Sequence, residues 1–342
     1  MGSSLIDKLV SGLAETEQRK RRQQQALIIN SNWPETKWDV SGAFIYDGML
    51  QSFSDFFMNG YALRLIDSVH GAPRCSWNGG RQHWGFETTL EQVAATHQAY
   101  EARQIAVELT FTNFNIGPPH LKSGLENRIL ELLCLHNPSG RNGVIMSQDA
   151  LADHVGRQYP SLKRIASVTK VSQENGRGNL DYYLDLAQRY DRVMIHPDDN
   201  FNLDLLRLLT PRDKYEILVN EPCMRNCQVR NRHYQIISDM GFNAADAEID
   251  VLMAEGMRLR MANGCEKMSN LLFGAENLRT TILSTNEQKR IYDLGFRNFK
   301  IQGRGLGSPQ AMLFELIRLM LNQDPDTNYV SARLGQKLFS GK

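Results

Sequence analysis

From about Tyr61 onward, short apolar runs alternate with stretches in which apolar residues recur at helical spacing. The short runs are rich in Val, Ile, Leu and Phe, as β-strands are. Strands that alternate with helices in this way are typical of parallel βαβ units. The eight predicted strands are Ala62–Val69, Ile105–Phe111, Gly143–Met146, Lys163–Val168, Arg192–Ile195, Glu216–Val219, Thr280–Leu283 and Asn298–Ile301.

The intervening and following stretches predict helices. They are Leu90–Arg103, Leu125–Leu135, Gln148–Gln158, Leu180–Tyr190, Leu203–Leu209, Ala245–Met257, Glu287–Leu294 and Pro309–Leu321. Eight strands that are each followed by a helix close a barrel, whereas open doubly wound sheets have fewer strands. The pattern therefore predicts an α/β fold, a (β/α)8 TIM-like barrel over residues 61–342. In such barrels the working face is the one at the carboxyl ends of the strands.

The first sixty residues follow a different pattern and predict an N-terminal extension. The apolar residues between Leu5 and Leu13 recur at helical spacing, and the polar run Glu15–Gln25 follows them. Residues 33–60 are rich in aromatic side chains and predict a cap or an extra hairpin. The apolar helical stripe needs a partner, which is either the outside of the barrel or another subunit, so a homo- or hetero-oligomer is one interpretation.

Composition narrows the function classes. The 342 residues are 42% apolar and 23% charged, as in a globular protein with a sizeable core. Lys plus Arg number 39 and Asp plus Glu 38, so the net charge gives no support for nucleic-acid binding. The sequence has no long apolar run and no signal-peptide pattern, which predicts a cytoplasmic protein without a membrane partner. Five cysteines are too few for a disulfide scaffold of this size.

The most informative motif is NEPCMRNCQVRNRHY, directly after the strand Glu216–Val219. It contains Cys223 and Cys227, and Cys265 follows further along the chain. Thiolates are soft ligands that suit iron–sulfur clusters or zinc, and a loop after a barrel strand can bring them to one centre. Cys75, after the first predicted strand, is the best candidate for a fourth ligand on the same face. The alternative is that these cysteines are small buried apolar residues.

Basic and amide side chains at the same predicted rim indicate an anionic substrate. Arg and Lys bind carboxylates and phosphates, and a phosphate often lies after the seventh or eighth strand of a barrel. The alternative is that some of these cations pair with Glu221 or with Glu108, a carboxylate within the second predicted strand. The candidate substrate-binding residues are Arg81, Asn113, Asn220, Arg225, Lys300 and Arg304.

Two histidines lie at predicted strand ends and are candidate catalytic residues. His70 follows the first predicted strand, and His196 stands in MIHPDD after the fifth. With Glu108 they are the side chains best placed for proton transfer. His233 is either a further metal ligand or a structural residue. The sequence has no Ser/His/Asp set in a recognisable local context.

Several motifs resemble the collagenase-like peptidases, family thirty-two of unknown catalytic type, and their iron–sulfur barrel relatives. The matching pieces are VHGAP…NGGR, VELTFTNFN, RVMIHPDDNFNLDLL, EILVNEPCMRNCQVRNRHY and NFKIQGR, which cover about residues 61–321. The resemblance implies a TIM barrel and oxygen-independent hydroxylation of RNA bases or quinone precursors on a four-cysteine cluster. It implies Cys223, Cys227 and Cys265 as cluster ligands. The second half of this chain has only these three cysteines, so the fourth ligand departs from the family pattern.

These observations lead to three hypotheses. The first is an enzyme with a [4Fe-4S] cluster that modifies an anionic organic or nucleotide-type substrate. The second is a non-catalytic barrel that binds a partner through its N-terminal extension, since fold alone does not fix function. The third is a hydrolase with zinc at the same cysteines.

Overall fold

The computed structural model describes residues 12–22, 32–61, 63–79, 88–242, 246–265, 280–303, 308–322 and 325–340. Eight strands run through these ranges: β1 Lys37–Ser41, β2 Ile66–Gly71, β3 Ala106–Phe111, β4 Gly143–Met146, β5 Lys163–Ala166, β6 Arg192–Ile195, β7 Tyr215–Leu218 and β8 Asn298–Ile301. The helices up to β6 are α1 Asp47–Tyr61, α2 Leu90–Glu101, α3 Gly124–Leu135, α4 Asp149–Gln158, α5 Val168–Gln173 and α6 Leu180–Arg189. The later ones are α7 Leu203–Leu208, α8 Arg230–Phe242, α9 Asp246–Ala262, α10 Thr285–Asp293, α11 Pro309–Met320 and α12 Pro325–Phe339.

The strands form a closed parallel barrel in sequence order. Each strand pairs with the next, and β8 closes the sheet on β1 through the register Asp39 to Lys300. The predicted (β/α)8 TIM barrel is confirmed. Because all strands are parallel and alternate with helices, every strand ends at the same rim, where the loops that follow can bring side chains together.

The core of the barrel is built from the apolar positions of these strands. β4 and β8 are buried along their whole length, as is typical of parallel strands that are covered on both sides. Three strands, β4, β6 and β8, have the bounds that the sequence predicted. Inside the barrel, Ile145, Ile165, Val168 and Met194 form an apolar cluster.

Two strand predictions were wrong. The true first strand, Lys37–Ser41, lies in the segment that we expected to be a cap or hairpin, and the aromatic stretch after it is the helix α1. The predicted strand Thr280–Leu283 is not in the barrel. Thr280 makes an antiparallel bridge with Met224, so this segment pairs with the loop after β7. The strand that completes the barrel is therefore β1, before the predicted strands. The first six predicted strands, up to Glu216–Val219, correspond to β2 to β7.

Helix ends near the barrel rim are fixed by local capping. Ser284 and Glu287 form a capping box at the start of α10, and Thr89 and Gln92 form one at the start of α2. A capping box satisfies two backbone N–H groups that have no partner within the helix. The loops before α2 and α10 therefore end at these caps.

The chain divides into two compact units. One contains residues 36–47 and 66–305, and therefore the whole barrel sheet. The other contains residues 1–35, 48–65 and 306–342. In this second unit, the Asn32 side chain donates to the carbonyl oxygens of Leu319 and Leu321 at the end of α11, at 3.2 and 3.1 Å.

Residues 12–22, in the same second unit, are helical and expose Leu13. The rest of the predicted apolar stripe of the extension lies outside the described residues. No helix in the described part of the chain is long and apolar enough to span a bilayer.

Candidate active site

A row of charged side chains crosses the inside of the barrel, where a (β/α)8 core is ordinarily apolar. Three neighbouring strands bring the first group together. Asp39 of β1 pairs in register with Lys300 of β8 on one side, and Ser41, two residues after Asp39, pairs with His70 of β2 on the other. Since side chains two residues apart point to the same face of a strand, all three side chains turn inward.

Asp39 joins the two neighbours. Its Oδ2 lies 2.9 Å from Nδ1 of His70 and also accepts a hydrogen bond from Nζ of Lys300. All three side chains are buried, with Asp39 only 1% exposed. Burial opposes ionisation of Asp39, but the charges of His70 and Lys300 hold the pKa of its carboxyl well below the usual range. Asp39 is therefore a carboxylate that can orient both neighbours.

Two further carboxyls lie deeper in the same network. Glu108 of β3 and Glu216 of β7 both pair with Arg192 of β6, and Lys300 lies 3.8 Å from Glu216. Burial raises the pKa of Glu108 to about 7, an effect that Arg192 opposes and that Asp39 and Glu216 reinforce. Burial likewise raises the pKa of Glu216.

Carboxylate oxygens of Asp39, Glu108 and Glu216 lie within 4.8 Å of one another. Arg192 and Lys300 pair with these three carboxyls, so the acidic group is part of an internal ion-pair network.

A cavity of about 130 Å³ opens above this network at the carboxyl ends of the strands. His70, Lys300, Arg74 and Tyr46 contribute its titratable and charged groups. Its other hydroxyl groups come from Ser41, Thr88, Thr110, Thr112, Ser167 and Thr169, and its apolar wall includes Phe44, Ile45, Ile145, Val168 and Met194. Concave sites with an apolar wall and a few converging polar groups are the usual form of a small-molecule site.

Three of the predicted metal-binding thiols meet after β7. Nδ2 of Asn263 lies 3.3 Å from Sγ of Cys227 and 3.4 Å from Sγ of Cys265, and the Cys223 thiol is in hydrogen-bonding contact with Cys227. This contact lowers the pKa of the Cys227 thiol to about 6 and raises the pKa of the Cys223 thiol well above its usual range. Cys227 is thus suited to be a thiolate, the form that binds metal.

The loop that carries Cys223 is held from two sides. The Thr281 N–H donates to the Cys223 carbonyl at 2.8 Å, and Nε of Arg225 donates to the Thr280 carbonyl at 2.7 Å. The buried Arg230 at the start of α8 donates to the carbonyl of Met224 at 2.7 Å. The segment that was wrongly predicted as a strand therefore fixes the cysteine loop.

His196 belongs to this support and does not border the cavity. Its Nε2 lies 3.0 Å from Nη1 of Arg230, and Asp198 accepts from the same guanidinium at 3.3 Å. Burial, with the charges of Arg230 and Arg177, lowers the pKa of His196 to about 2. The ring is neutral at ordinary pH and positions Arg230.

The remaining predicted site residues are dispersed. Asn113 donates to the carbonyls of Ser76 and Ser238, and Asn220 exchanges hydrogen bonds with the Gln302 backbone, so both amides brace the backbone. Arg225 also pairs with Glu287. Arg81 and Arg304 lie outside the described residues.

Cys75 is separate from the other predicted metal-binding thiols. It is buried beside Trp77, Asn78 and Glu126, and burial raises its pKa. Within the described ranges no contact joins it to the other three thiols. The structure thus brings together three of the four predicted ligands.

Sequence reasoning missed Asp39, Arg192, Glu216 and Asn263. Asp39 had a detectable signal, because Asp39 and Ser41 alternate with the apolar Trp38 and Val40 as in a half-polar strand. Arg192 and Glu216 stand inside predicted strands, where a charged residue is unusual enough to mark an interior network. Asn263 carried no signal beyond its closeness to Cys265.

No family model matches the chain, and no curated protein matches it. Among solved structures, the U32 peptidase Mk0906 is similar, with 12% identity and a TM-score of 0.46 over 78% of this chain and 92% of that one. Its name is that of the family which the sequence motifs resemble.

Proposed function

We propose that this chain is an enzyme that modifies a small anionic organic or nucleotide-type molecule at the barrel mouth and carries a [4Fe-4S] cluster. Cys223, Cys227 and Cys265 would hold the cluster. The observation that supports this most is the arrangement of the three thiols after β7. The Asn263 amide contacts the sulfurs of Cys227 and Cys265, which are distant in sequence, and Cys223 contacts Cys227. When bound, the cluster would supply one-electron chemistry of the kind that an oxygen-independent hydroxylation requires.

The three thiols are not all at the mutual spacing of a single tetrahedral zinc site. Tetrahedral zinc with Zn–S bonds of about 2.3 Å holds its sulfurs about 3.8 Å apart. In the described part of the chain, only the acidic group of Asp39, Glu108 and Glu216 has three ligand atoms within 4.8 Å of one another. At least one pair of the three thiols is therefore more than 4.8 Å apart, although Cys223 and Cys227 are in hydrogen-bonding contact.

The chain's own residues prepare this site in two ways. The Asn263 amide donates toward two of the sulfurs, and hydrogen bonds to sulfur adjust the reduction potential of a cluster. Arg230 ties the cysteine loop to the end of β6 through Met224 and Asp198. The sequence offers only Cys75 and Cys134 as further thiols. Three thiolates leave one iron for a ligand that is not one of these cysteines.

The experiment is anaerobic purification followed by determination of iron and acid-labile sulfide. We expect about four of each per chain, and we expect Cys227→Ser and Cys265→Ser to lose most of both. Cys134→Ser is the matched control, because this half-buried thiol lies on α3, where it accepts a hydrogen bond from Ser161 at 3.6 Å, and its loss should leave the metal content unchanged. A wild-type protein without iron would contradict the proposal, and bound zinc would favour the hydrolase hypothesis.

A further inference from the structure

The barrel-mouth cavity contains a second arrangement with catalytic chemistry, independent of the thiols. A buried carboxylate, Asp39, holds Nδ1 of His70 at 2.9 Å, and the His70 ring borders the cavity. A carboxylate 2.9 Å from Nδ1 favours the tautomer that carries its proton there, in which Nε2 is the basic nitrogen. The same carboxylate would stabilise the imidazolium that forms when Nε2 takes up a proton.

The cavity also has the groups that bind developing negative charge. Lys300 borders it beside His70 and is held by Asp39. Arg74 lies on its rim, and guanidinium groups suit carboxylates. A fixed cation near a proton acceptor is the combination that stabilises an enolate, because the charge moves to an oxygen as the proton leaves carbon.

We propose that Asp39, His70 and Lys300 form an acid–base site that removes and returns a proton next to the carbonyl group of a small carboxylate. His70 accepts the proton from the carbon, the C–H electron pair becomes the C=C bond of the enolate, and the negative charge moves to the carbonyl oxygen beside Lys300. Return of a proton from His70 to the carbon restores the carbonyl compound. The step needs no oxidant or reductant. His70 and Lys300 are the catalytic residues, and Asp39 is a positioning residue.

Exchange of the methyl protons of pyruvate in deuterated water, followed by proton NMR, tests the site with a defined probe. We expect the wild-type protein to catalyse exchange, and we expect His70→Gln to lower the rate about 100-fold or more, as for loss of a general base. His136→Gln is the matched control, since Nδ1 of His136 lies 2.8 Å from a carboxylate oxygen of Glu101 in a similar pair that does not border the cavity. This variant should catalyse exchange at the wild-type rate. Equal rates in the wild type and His70→Gln, or no exchange by the wild type, would overturn the proposal.

Nitrogen NMR of the imidazole tests the role of Asp39. The wild type should show His70 with its proton on Nδ1, and Asp39→Asn should lose this tautomer together with the exchange activity. A purely structural Asp39 would leave the tautomer unchanged in a folded variant, which would overturn its positioning role.

Two chemical probes on the wild type cover the case in which a variant does not fold. Pyruvate should protect His70 from diethyl pyrocarbonate, and unprotected modification would count against the site. A borohydride-trapped adduct on Lys300 would overturn its assignment as a fixed cation. None of these measurements depends on iron content, so their failure leaves the cluster proposal standing.

Discussion

Glu108 is a single residue whose protonation reports on the barrel interior. Its pKa rises from 4.5 to about 7, chiefly because it is buried. Between these values the folded chain holds a proton that the unfolded chain has lost. Linkage then requires the free energy of unfolding to fall as pH rises through this window, by at most about 1.4 kcal/mol per pH unit.

The variant Glu108→Gln tests this pH dependence, because a glutamine at position 108 does not titrate. Its amide oxygen can still accept a hydrogen bond from Arg192. We expect the stability of the wild type relative to this variant to decline by about 2 to 3 kcal/mol in total between pH 4.5 and pH 7. Urea unfolding at a series of pH values measures it. A relative stability that rises with pH across the same window would show that the ion pair with Arg192 outweighs burial.

At the scale of elements, the loop after β7 depends on one buried guanidinium. Arg230 and Asp198 are each only 4% exposed as side chains, and Arg230 also holds the Met224 carbonyl. Removing one member of a buried ion pair typically costs about 3 to 5 kcal/mol, and Arg177, 3.2 Å from Asp198, offsets part of that cost here.

We therefore expect Arg230→Met to lower the free energy of unfolding by about 2 kcal/mol or more. The exposed pair of Arg207 and Asp204 provides the control, and Arg207→Met should change stability by less than about 1 kcal/mol. Chemical unfolding of both variants compares them directly. Similar small losses would mean that Arg230 does not hold the loop.

The elements also show what sequence patterns can and cannot predict. Gly143–Met146 and Arg192–Ile195 were found with their bounds because they are short, apolar and flanked by clear helices. Lys37–Ser41 was missed because its inward positions carry Asp39 and Ser41, so it lacks the apolar run of a buried parallel strand. Thr280–Leu283 has the composition of a strand, but its hydrogen bonds go to the loop after β7, a long-range pairing that local pattern does not encode.

The same reasoning applies to the site residues. Cys223 and Cys227 were identifiable because they share a short motif. Cys265 was a candidate because it is the third cysteine in the second half of the sequence. His70 and Lys300 were predicted from their places at strand ends. Their connection through Asp39 depends on the register of β8, β1 and β2, and it became visible only when the barrel closed.

At the scale of the whole molecule, the barrel rim supports two separate groups of side chains. One is the acid–base group on β1, β2 and β8, which borders the cavity. The other is the thiol group after β7, supported by Arg230 and Asn263. Closure of eight parallel strands brings both to the carboxyl-end face, where barrel enzymes carry out their chemistry.

Anomalous diffraction at the iron absorption edge, from crystals grown without oxygen, shows directly whether the three thiols hold a cluster. We expect a strong anomalous peak within bonding reach of the sulfurs of Cys223, Cys227 and Cys265. A structure with these thiols ordered and no iron peak beside them would contradict this expectation.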